Sequence, residues 1–318
     1  MSARMLVGDV GGTNVRFGIA ARQNEQIQIS DFKVFAGDAC KDFYDAIEKY
    51  LAHLDTPPDT AHLAIAGPIQ NDEVQLTNRN WHVSASTLRD RFDFTHVDLL
   101  NDFAAMARSI PELTKDRMLD LRPGTAEPDA PILVAGPGTG FGVATIARTE
   151  DAKWLVLQGE GGHVAFSPRI DLDVEIGNIL RRKHGYVSAE LVSSGSGLPA
   201  VHEAFCELFG KPYEDMAPAE MLTLAAGGHD MYLALCKLRA RTVLSAAGDF
   251  VLANGARGGV VLAGGVTERL APYFSDEDVA PYFEARGALS KYLETCPISL
   301  LTDPHAPLIG AAAYYSKA

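Results

Sequence analysis

The first third of the chain carries hydrophobic positions in patterns that predict three strands followed by a helix. Met5–Val10 is mostly apolar and leads into a turn at 11–13, and apolar and polar or small residues then alternate over 15–19. Ile27–Phe35 supplies a third strand. Apolar residues at three-to-four spacing over 43–54 predict a helix that ends before a pair of prolines.

Further along, short apolar strands alternate with helical patterns. The predicted strands are His62–Ala66, which ends at Gly67-Pro68, and Val97–Leu100, which ends at Asn101-Asp102. Strands separated by helices are typical of the α/β class. The proline-rich segment Pro123–Pro131 predicts a surface loop near a domain junction, so a boundary is expected between Arg108 and Pro131.

The second part of the chain begins the same order again. An apolar run at Ile132–Ala135 leads into a glycine-rich loop, Gly136–Gly142, and then into strands over Val143–Ala147 and Trp154–Gln158. The repeated order of strand, glycine loop, strand and strand predicts a duplicated architecture with diverged sequence. Helices follow at Glu175–Arg182, Ala200–Phe209 and Met231–Ala253, strands at Gly259–Ala263 and Ile298–Leu301, and a last helix at Leu308–Tyr315.

Composition narrows the class of protein. A length of 318 residues predicts two domains, and 47% hydrophobic with 22% charged residues is typical of a globular chain. The net charge of −13 argues against nucleic acid or an anionic membrane as a partner. Because no apolar run approaches membrane-spanning length and no secretory signal begins the chain, we expect a soluble, cytoplasmic protein.

The four cysteines argue against a structural metal. They are far apart in the sequence and form no Cys-x-x-Cys pair, so neither a zinc site nor a disulfide framework is expected.

Two glycine-rich loops are candidates for binding phosphate. The first spans Gly8, Asp9, Val10, Gly11, Gly12 and Thr13. Glycine lets backbone amides approach a phosphate, Thr13 adds a donor, and Asp9 is placed to hold Mg²⁺ through water. Gly136–Gly142 is the second loop, with Thr139 between Gly138 and Gly140. Each loop has an alternative interpretation as an ordinary hairpin turn, and the occurrence of two favours the phosphate site.

Acidic and polar residues after strands are candidates for substrate chemistry. Asn101 and Asp102 follow a strand, where open α/β sheets gather ligands, although an aspartate before a helix is more often an N-cap. Glu160 and His163 lie among glycines and suit a polyhydroxyl ligand; a metal site or a solvated turn are the alternatives. Glu190 by itself is consistent with a solvated charge at a helix start.

Two common nucleotide-binding motifs give no evidence of nucleotide binding by this chain. Residues 195–200 match G-x-G-x-x-A formally, but no suitable first strand precedes them, and Pro199 instead predicts the first turn of a helix. The chain contains no G-x-x-x-x-G-K-[ST] sequence.

In order along the chain, these stretches resemble the bacterial glucokinases of the actin, hexokinase and heat-shock-protein ATPase superfamily. The matching segments are LVGDVGGTNVRFGIA (6–20), AIAGPI (64–69), TNRNW (77–81), LLNDFAAMA (99–107), GPGTGFGVA (136–144), QGEGGHVAF (158–166), VSAELVSSGSGL (187–198) and VVLAGGV (260–266). The resemblance covers nearly the whole chain. A related family of repressors, open-reading-frame proteins and kinases carries a zinc motif after its Gly-His, which is absent here, so the zinc-free group fits better.

The resemblance implies an α/β protein with an actin-like ATPase (ribonuclease H-like) fold and a ligand cleft between two domains. Residues 1–110 would form the small domain, with the helix at 302–318 packing back on it, and residues 111–301 the large domain.

The resemblance also assigns roles. The first loop and Gly138, Thr139 and Gly140 would bind the phosphates of ATP with Mg²⁺, and Gly264 and Gly265 would lie near the adenosine. Asn101, Asp102, Glu160, His163 and Glu190 would hydrogen-bond glucose, with Asp102 as catalytic base. No role is assigned to Asn78 in TNRNW. A homodimer, without nucleic-acid or membrane partners and without structural zinc, is the implied assembly.

The expected activity is therefore transfer of the γ-phosphoryl group of ATP to the 6-hydroxyl of glucose. Three alternatives remain at this point: a kinase for another hexose, an actin-like ATPase that needs no sugar, and a sugar sensor without catalysis. The ATPase leaves Glu160 and His163 unexplained, and the sensor gives no reason for Asp102.

Overall fold

The computed structural model describes residues 4–11, 13–24, 26–76 and 79–314. Contacts divide the chain into two units, residues 1–117 with 303–318 and residues 118–302.

The strands and helices are numbered in chain order. The strands are β1 Met5–Val10, β2 Asn14–Gln23, β3 Gln26–Ala36, β4 Thr60–Ile65, β5 Glu73–Gln75, β6 His82–Ser84, β7 His96–Asn101, β8 Met118–Arg122, β9 Ile132–Pro137, β10 Phe141–Arg148, β11 Trp154–Gly159, β12 Gly259–Leu262 and β13 Ile298–Leu301. The helices are α1 Phe43–Leu51, α2 Ala85–Phe92, α3 Asp102–Ser109, α4 Asp171–His184, α5 Ala189–Ser193, α6 Leu198–Leu208, α7 Pro218–Ala226, α8 Asp230–Asn254, α9 Gly265–Leu270, α10 Pro281–Glu284, α11 Ser290–Glu294 and α12 Ala306–Tyr314.

The first unit is built on a five-stranded sheet in the order β3-β2-β1-β4-β7. β1, β4 and β7 are parallel, whereas β2 and β3 extend the sheet as an antiparallel meander. Alternate residues of β1 point to opposite faces: Leu6 belongs to a core that includes Phe43 and Ile47 of α1, and Val7 packs with Leu308 of α12. The sheet is therefore covered on both faces.

The second unit contains a six-stranded sheet in the order β11-β10-β9-β12-β13-β8. β9, β12 and β13 are parallel, and β10 and β11 form an antiparallel meander beside β9. The long helix α8 packs against β9 and contributes many side chains to the core.

The two sheets share one topology, which confirms the predicted duplication. Each sheet begins with an antiparallel meander of three strands. The first strand of that meander is also the first of three parallel strands. The second sheet adds β8, which pairs antiparallel with β13 and which the hydrophobic pattern did not indicate.

The predicted helices and strands are present with small shifts of their ends. The helix predicted at 231–253 is α8, and the rejected dinucleotide motif is the start of α6, with Pro199 in its first turn. All four cysteines are buried and unlinked. Across the described part of the chain, no helix combines the length and apolar character needed to span a bilayer.

Candidate active site

In the first unit, the candidate residues collect at one edge of the sheet. Val10 ends β1, Ile65 ends β4 and Asn101 ends β7, and the three residues are neighbours in the register of the parallel strands. The turn after β1 and the Asn101-Asp102 pair therefore share the carboxyl edge, one strand apart, at a separation of roughly 10 Å. This edge is where open α/β sheets bind ligands.

The first glycine loop is shorter in the structure than the sequence motif indicated. β1 continues to Val10, so Gly8, Asp9 and Val10 lie in the strand, and the turn begins at Gly11. A side chain at Gly8 would meet Leu63 Cδ2 at 2.7 Å, so this glycine serves sheet packing and does not present a turn amide. Gly12 lies outside the described residues, and Thr13 is exposed.

Asp9 lies in β1 directly opposite Arg16 of β2, and Arg16 Nη1 donates to Asp9 Oδ2 at 2.6 Å. Burial raises the pKa of the Asp9 carboxyl, while the Arg16 guanidinium opposes that shift. Oδ1 has no partner among the described residues, which leaves one oxygen for a metal-bound water. Because Mg²⁺ is usually held by one or two carboxylates together with substrate phosphates, Asp9 fits the predicted role.

The start of α3 is capped by Asn101 and not, as one interpretation of the sequence had it, by Asp102. The N-cap is Asn101, whose Oδ1 accepts hydrogen bonds from Phe103 N at 3.0 Å and Ala104 N at 3.2 Å. Asp102 is the first helical residue and is half-buried. The alternative that Asp102 is the cap was therefore wrong. Its carboxylate lies where the helix dipole stabilises negative charge.

Close helix packing positions α3. A side chain at Gly310 of α12 would lie 1.7 Å from Ala105 O, so only glycine allows this approach of the two backbones. α12 makes its main contacts with α3 and also packs on β1. The C-terminal helix thereby fixes the element that carries Asp102.

In the second unit, the other glycine-rich turns lie against each other. β9 and β12 are parallel neighbours, and they end at Pro137 and Leu262. Gly264 has φ +103°, and a side chain there would meet Pro137 O at 2.6 Å. The hairpin of Gly138, Thr139 and Gly140 is thus in contact with the Gly264-Gly265 turn.

The hairpin is open to a phosphate. Gly138 N donates to Gly140 O at 2.8 Å, which closes the turn. Within the described ranges, the amides of Thr139 and Gly140 have no hydrogen-bond acceptor, and Thr139 is exposed. Unpaired amides in a glycine turn are the donors that phosphate oxygens need, so these residues fit the phosphates of ATP.

Glu190 joins the hairpin to the predicted sugar-binding residues. Its Oε2 accepts a hydrogen bond from Phe141 N at 2.6 Å, and its Oε1 lies 3.5 Å from His163 Nε2. The His163 side chain is 61% exposed and that of Glu190 25%, so both remain accessible to a ligand. The alternative of an isolated solvated charge at Glu190 was wrong.

The loop that carries Glu160 and His163 is hydrogen-bonded to the start of α5 and to Tyr186, which precedes it. Ala189 N donates to Val164 O at 2.9 Å, and Tyr186 Oη donates to His163 O at 2.8 Å. Glu160 is exposed and comes immediately before a short 3₁₀ turn, Gly161–His163. No group of three or more histidine, cysteine or acidic side chains is arranged to hold a metal in the described residues.

Several residues of this site were missed by sequence reasoning. Gly195 N donates to Gly138 O and Ser196 N to Thr139 O, at 2.8 and 3.0 Å. The segment 187–198 stood among the family-like motifs, but only Glu190 received a role. Asn78 lies outside the described residues, and its neighbour Trp81 is buried.

A pocket beside the turn at 194–197 was also not anticipated. It encloses about 410 Å³, part of it open solvent, and is lined by Gly195, Leu198, Met221, Val266, Arg239 and Arg269. Such apolar walls with a few polar groups are typical of small-molecule sites.

Comparisons with known proteins give the family of the chain. The family model described as Glucokinase matches residues 6–318. A glucokinase from Saccharophagus degradans is 35% identical over 318 residues, covering 98% of each chain. The crystal structure of a glucokinase from an Antarctic psychrotroph is 34% identical, covers 100% of both chains and has a TM-score of 0.87.

A more distant structure shares the fold. A ROK family glucokinase from Streptomyces griseus, in complex with glucose and AMPPNP, is 16% identical, covers 98% of this chain and 99% of its own, and has a TM-score of 0.68.

The duplicated sheets and these neighbours define a sugar kinase with the actin-like ATPase fold. The chain belongs to the glucokinase family. It is an enzyme that phosphorylates glucose.

Proposed function

We propose that Asp102 is the base in transfer of the γ-phosphoryl group of ATP to the 6-hydroxyl of glucose. Asp102 supports this proposal because it follows β7 at the carboxyl edge of the first sheet, in the first turn of α3. The contact of Glu190 with both Phe141 N and His163 supports binding of both substrates, because it joins the candidate phosphate-binding hairpin to candidate hydroxyl-binding side chains. A sugar-independent ATPase would have no use for that contact.

The proposed base acts on the sugar hydroxyl. The Asp102 carboxylate, in the first turn of α3, would accept the 6-hydroxyl proton as the oxygen attacks phosphorus. Phosphoryl transfer depends mainly on positioning and on stabilising charge.

The nucleotide would be held by backbone donors and an apolar pocket. The amides of Thr139 and Gly140 would bind phosphate oxygens, and the Gly264-Gly265 turn would approach the adenosine. The adenine ring would enter the pocket beside Gly195. Mg²⁺ would neutralise charge on the transferring phosphate, and Asp9 would hold it through water.

The sugar would be recognised by hydrogen bonds to its hydroxyls. The proposed partners are Asn101, Asp102, Glu160, His163 and Glu190. Asn101 Oδ1 is occupied by the helix cap, so its amide nitrogen would make this bond. Because an unpaired buried polar group costs about 1–3 kcal/mol, epimers of glucose should be poor substrates.

The proposal also covers the domains of the protein, its assembly and its location. We propose two functional domains, residues 1–110 with 302–318 and residues 111–301, in a cytoplasmic homodimer that serves glycolysis. The division of contacts after residue 117 and before residue 303 supports the two domains. The charge of −13 and the buried, unlinked cysteines are consistent with the cytoplasmic location.

The test is release of ADP by the purified protein with MgATP, without sugar and with glucose, mannose, fructose, galactose or N-acetylglucosamine. Release that requires glucose is the expected result. Equal release without sugar would replace the proposal by the ATPase, and faster release with another sugar would replace glucose as the substrate.

A further inference from the structure

Arg239 of α8 is a buried cation that pairs with backbone instead of a carboxylate. The residue is 5% exposed, and its Nη2 donates to Ser193 O at 2.8 Å and to Ser194 O at 2.9 Å. No acidic side chain forms an ion pair with it in the described parts of the chain, and its Nε has no partner there.

A buried cation of this kind is costly to maintain. Removing a guanidinium from water is unfavourable unless hydrogen bonds and opposite charge compensate. Burial lowers the pKa of Arg239 to about 10, which is still far above neutral pH, so the side chain stays charged. Its hydrogen bonds satisfy carbonyls at the C-terminal end of α5, where the last carbonyls of a helix have no partner within the helix.

The carbonyls that Arg239 binds belong to a segment that holds the hairpin. Directly after them, Gly195 N and Ser196 N donate to Gly138 O and Thr139 O. The turn at 194–197 is closed by Ser194 Oγ, which accepts a hydrogen bond from Gly197 N at 3.1 Å. Arg239 is therefore linked to the hairpin through the backbone of residues 193–196, whose carbonyls bind Arg239 and whose amides bind the hairpin.

α5 also carries Glu190 one turn earlier, and Glu190 O accepts from Ser194 N at 2.8 Å. The Glu190 carboxylate holds the other side of the same hairpin through Phe141 N. α5 and the residues that follow it thus hold the hairpin at two points, Glu190 and the 195–196 amides, and Arg239 binds the carbonyls just before the second point.

We infer that Arg239 is a positioning residue that holds the Gly138–Gly140 hairpin in its ATP-binding geometry through the 193–196 segment. The inference rests on the proposed role of that hairpin. It assigns Arg239 no contact with a reacting atom. Because Arg239 also lines the pocket proposed for the adenine, hydrogen exchange without nucleotide is the readout that separates positioning of the hairpin from a direct contact with the nucleotide.

The test compares Arg239→Met with Arg239→Lys and with a matched control, Arg286→Met. Arg286 also donates to backbone carbonyls, Tyr282 O at 2.9 Å and Ser245 O at 2.7 Å, and its side chain is 7% exposed. It has no bond to the 193–196 segment or to the hairpin among the described residues. Both methionine variants lose a buried guanidinium and its carbonyl contacts, and Arg286→Met also loses an ion pair, since Arg286 Nε lies 3.2 Å from Asp249 Oδ1.

The first readout needs no catalysis. Hydrogen exchange at the Gly195 and Ser196 amides should be faster by about tenfold or more in Arg239→Met, since these amides donate to the hairpin. Arg286→Met should leave their exchange near the wild-type rate. Unchanged exchange in Arg239→Met, or equal acceleration in both variants, would overturn the inference.

The second readout is kinetic. Arg239→Met should raise KM for ATP by about tenfold or more, because a small displacement of a binding loop is enough for such a loss, while KM for glucose changes much less. Arg239→Lys should recover part of the loss, since an ammonium can still donate to carbonyls. Equal changes of both KM values, or the same change in Arg286→Met, would contradict a positioning role.

The two readouts separate this inference from the proposed function. If the wild-type protein released no ADP with any sugar, the proposed function would fail, while exchange and binding of AMPPNP would still decide whether Arg239 holds a nucleotide-binding hairpin.

Discussion

The carboxylate of Glu190 accepts a 2.6 Å hydrogen bond from the backbone amide of Phe141, the first strand residue after the Gly138–Gly140 hairpin. The same carboxylate lies 3.5 Å from His163. One side chain therefore holds the proposed phosphate-binding turn and contributes to the proposed sugar site. The effect of a substitution at Glu190 on each substrate should therefore depend on which of its two contacts is lost.

Glu190→Gln should raise KM for glucose by about tenfold or more and leave KM for ATP near its wild-type value. A glutamine oxygen can still accept from Phe141 N, but the charge that strengthens a sugar hydrogen bond is lost, at about 1.5–3 kcal/mol. Glu190→Ala removes both contacts and should raise both KM values. Steady-state kinetics on both variants, with Glu175→Gln on the exposed face of α4 as control, measures this. An unchanged glucose KM in Glu190→Gln would exclude the sugar contact.

Asp102→Asn should lower kcat by about 10²–10⁴-fold while glucose binding persists, because an amide can still hydrogen-bond the hydroxyl but cannot accept its proton. The measurements are ADP release and calorimetric titration with glucose. Asp171→Asn changes the first residue of α4, which has the same helix position, and should not affect the rate. A kcat within a few-fold of wild type for Asp102→Asn would rule out the base.

Gly264→Ala should lower the melting temperature and raise KM for ATP. Its φ of +103° strains any other residue, typically by about 1–3 kcal/mol, and the added carbon meets Pro137 O. Gly265→Ala introduces the same methyl group into open space, so thermal unfolding should separate the two variants clearly. Equal melting temperatures would mean that the turn relaxes without cost.

Asp98→Asn should remove a pH-dependent part of the stability of the first unit. His62 Nδ1 at 3.1 Å and His96 Nε2 at 3.0 Å hydrogen-bond the Asp98 carboxylate and lower its pKa. A depressed folded-state pKa stabilises the protein above the unfolded value of about 3.9, and that stabilisation is lost as the pH falls through the folded value. Urea unfolding should therefore show the variant less stable above pH ~5, with the difference shrinking below pH ~4. A difference that grows on acidification would contradict the sign.

Arg241→Met should be strongly destabilising, by about 3–5 kcal/mol, because it leaves Asp173 buried without its cation. Both side chains are almost fully buried. The double variant Asp173→Leu/Arg241→Met should recover much of this loss. Denaturant unfolding of the single and double variants tests the prediction, and additive losses would refute it.

The sequence by itself determined most of the order of elements and the candidate residues for the chemistry. Strand alternation, glycine turns and helical spacing are local properties, so the strands at 5–10 and 132–137 and the helix at 230–254 follow from neighbouring residues alone. The same local signals placed Asp102 after a strand and glycine loops at two corresponding points of the duplicated units.

The tertiary structure decided which of these residues meet. Glu190 lies about fifty residues from Phe141 in the chain, and only the folding of α5 beside the hairpin puts its carboxylate on that amide. Arg239 gave no motif, because its role is a hydrogen bond to carbonyls that any sequence could supply. Gly8 belonged to the motif of a loop but lies in β1, where it packs against the side chain of Leu63. Contacts between distant residues depend on packing, which no local pattern encodes.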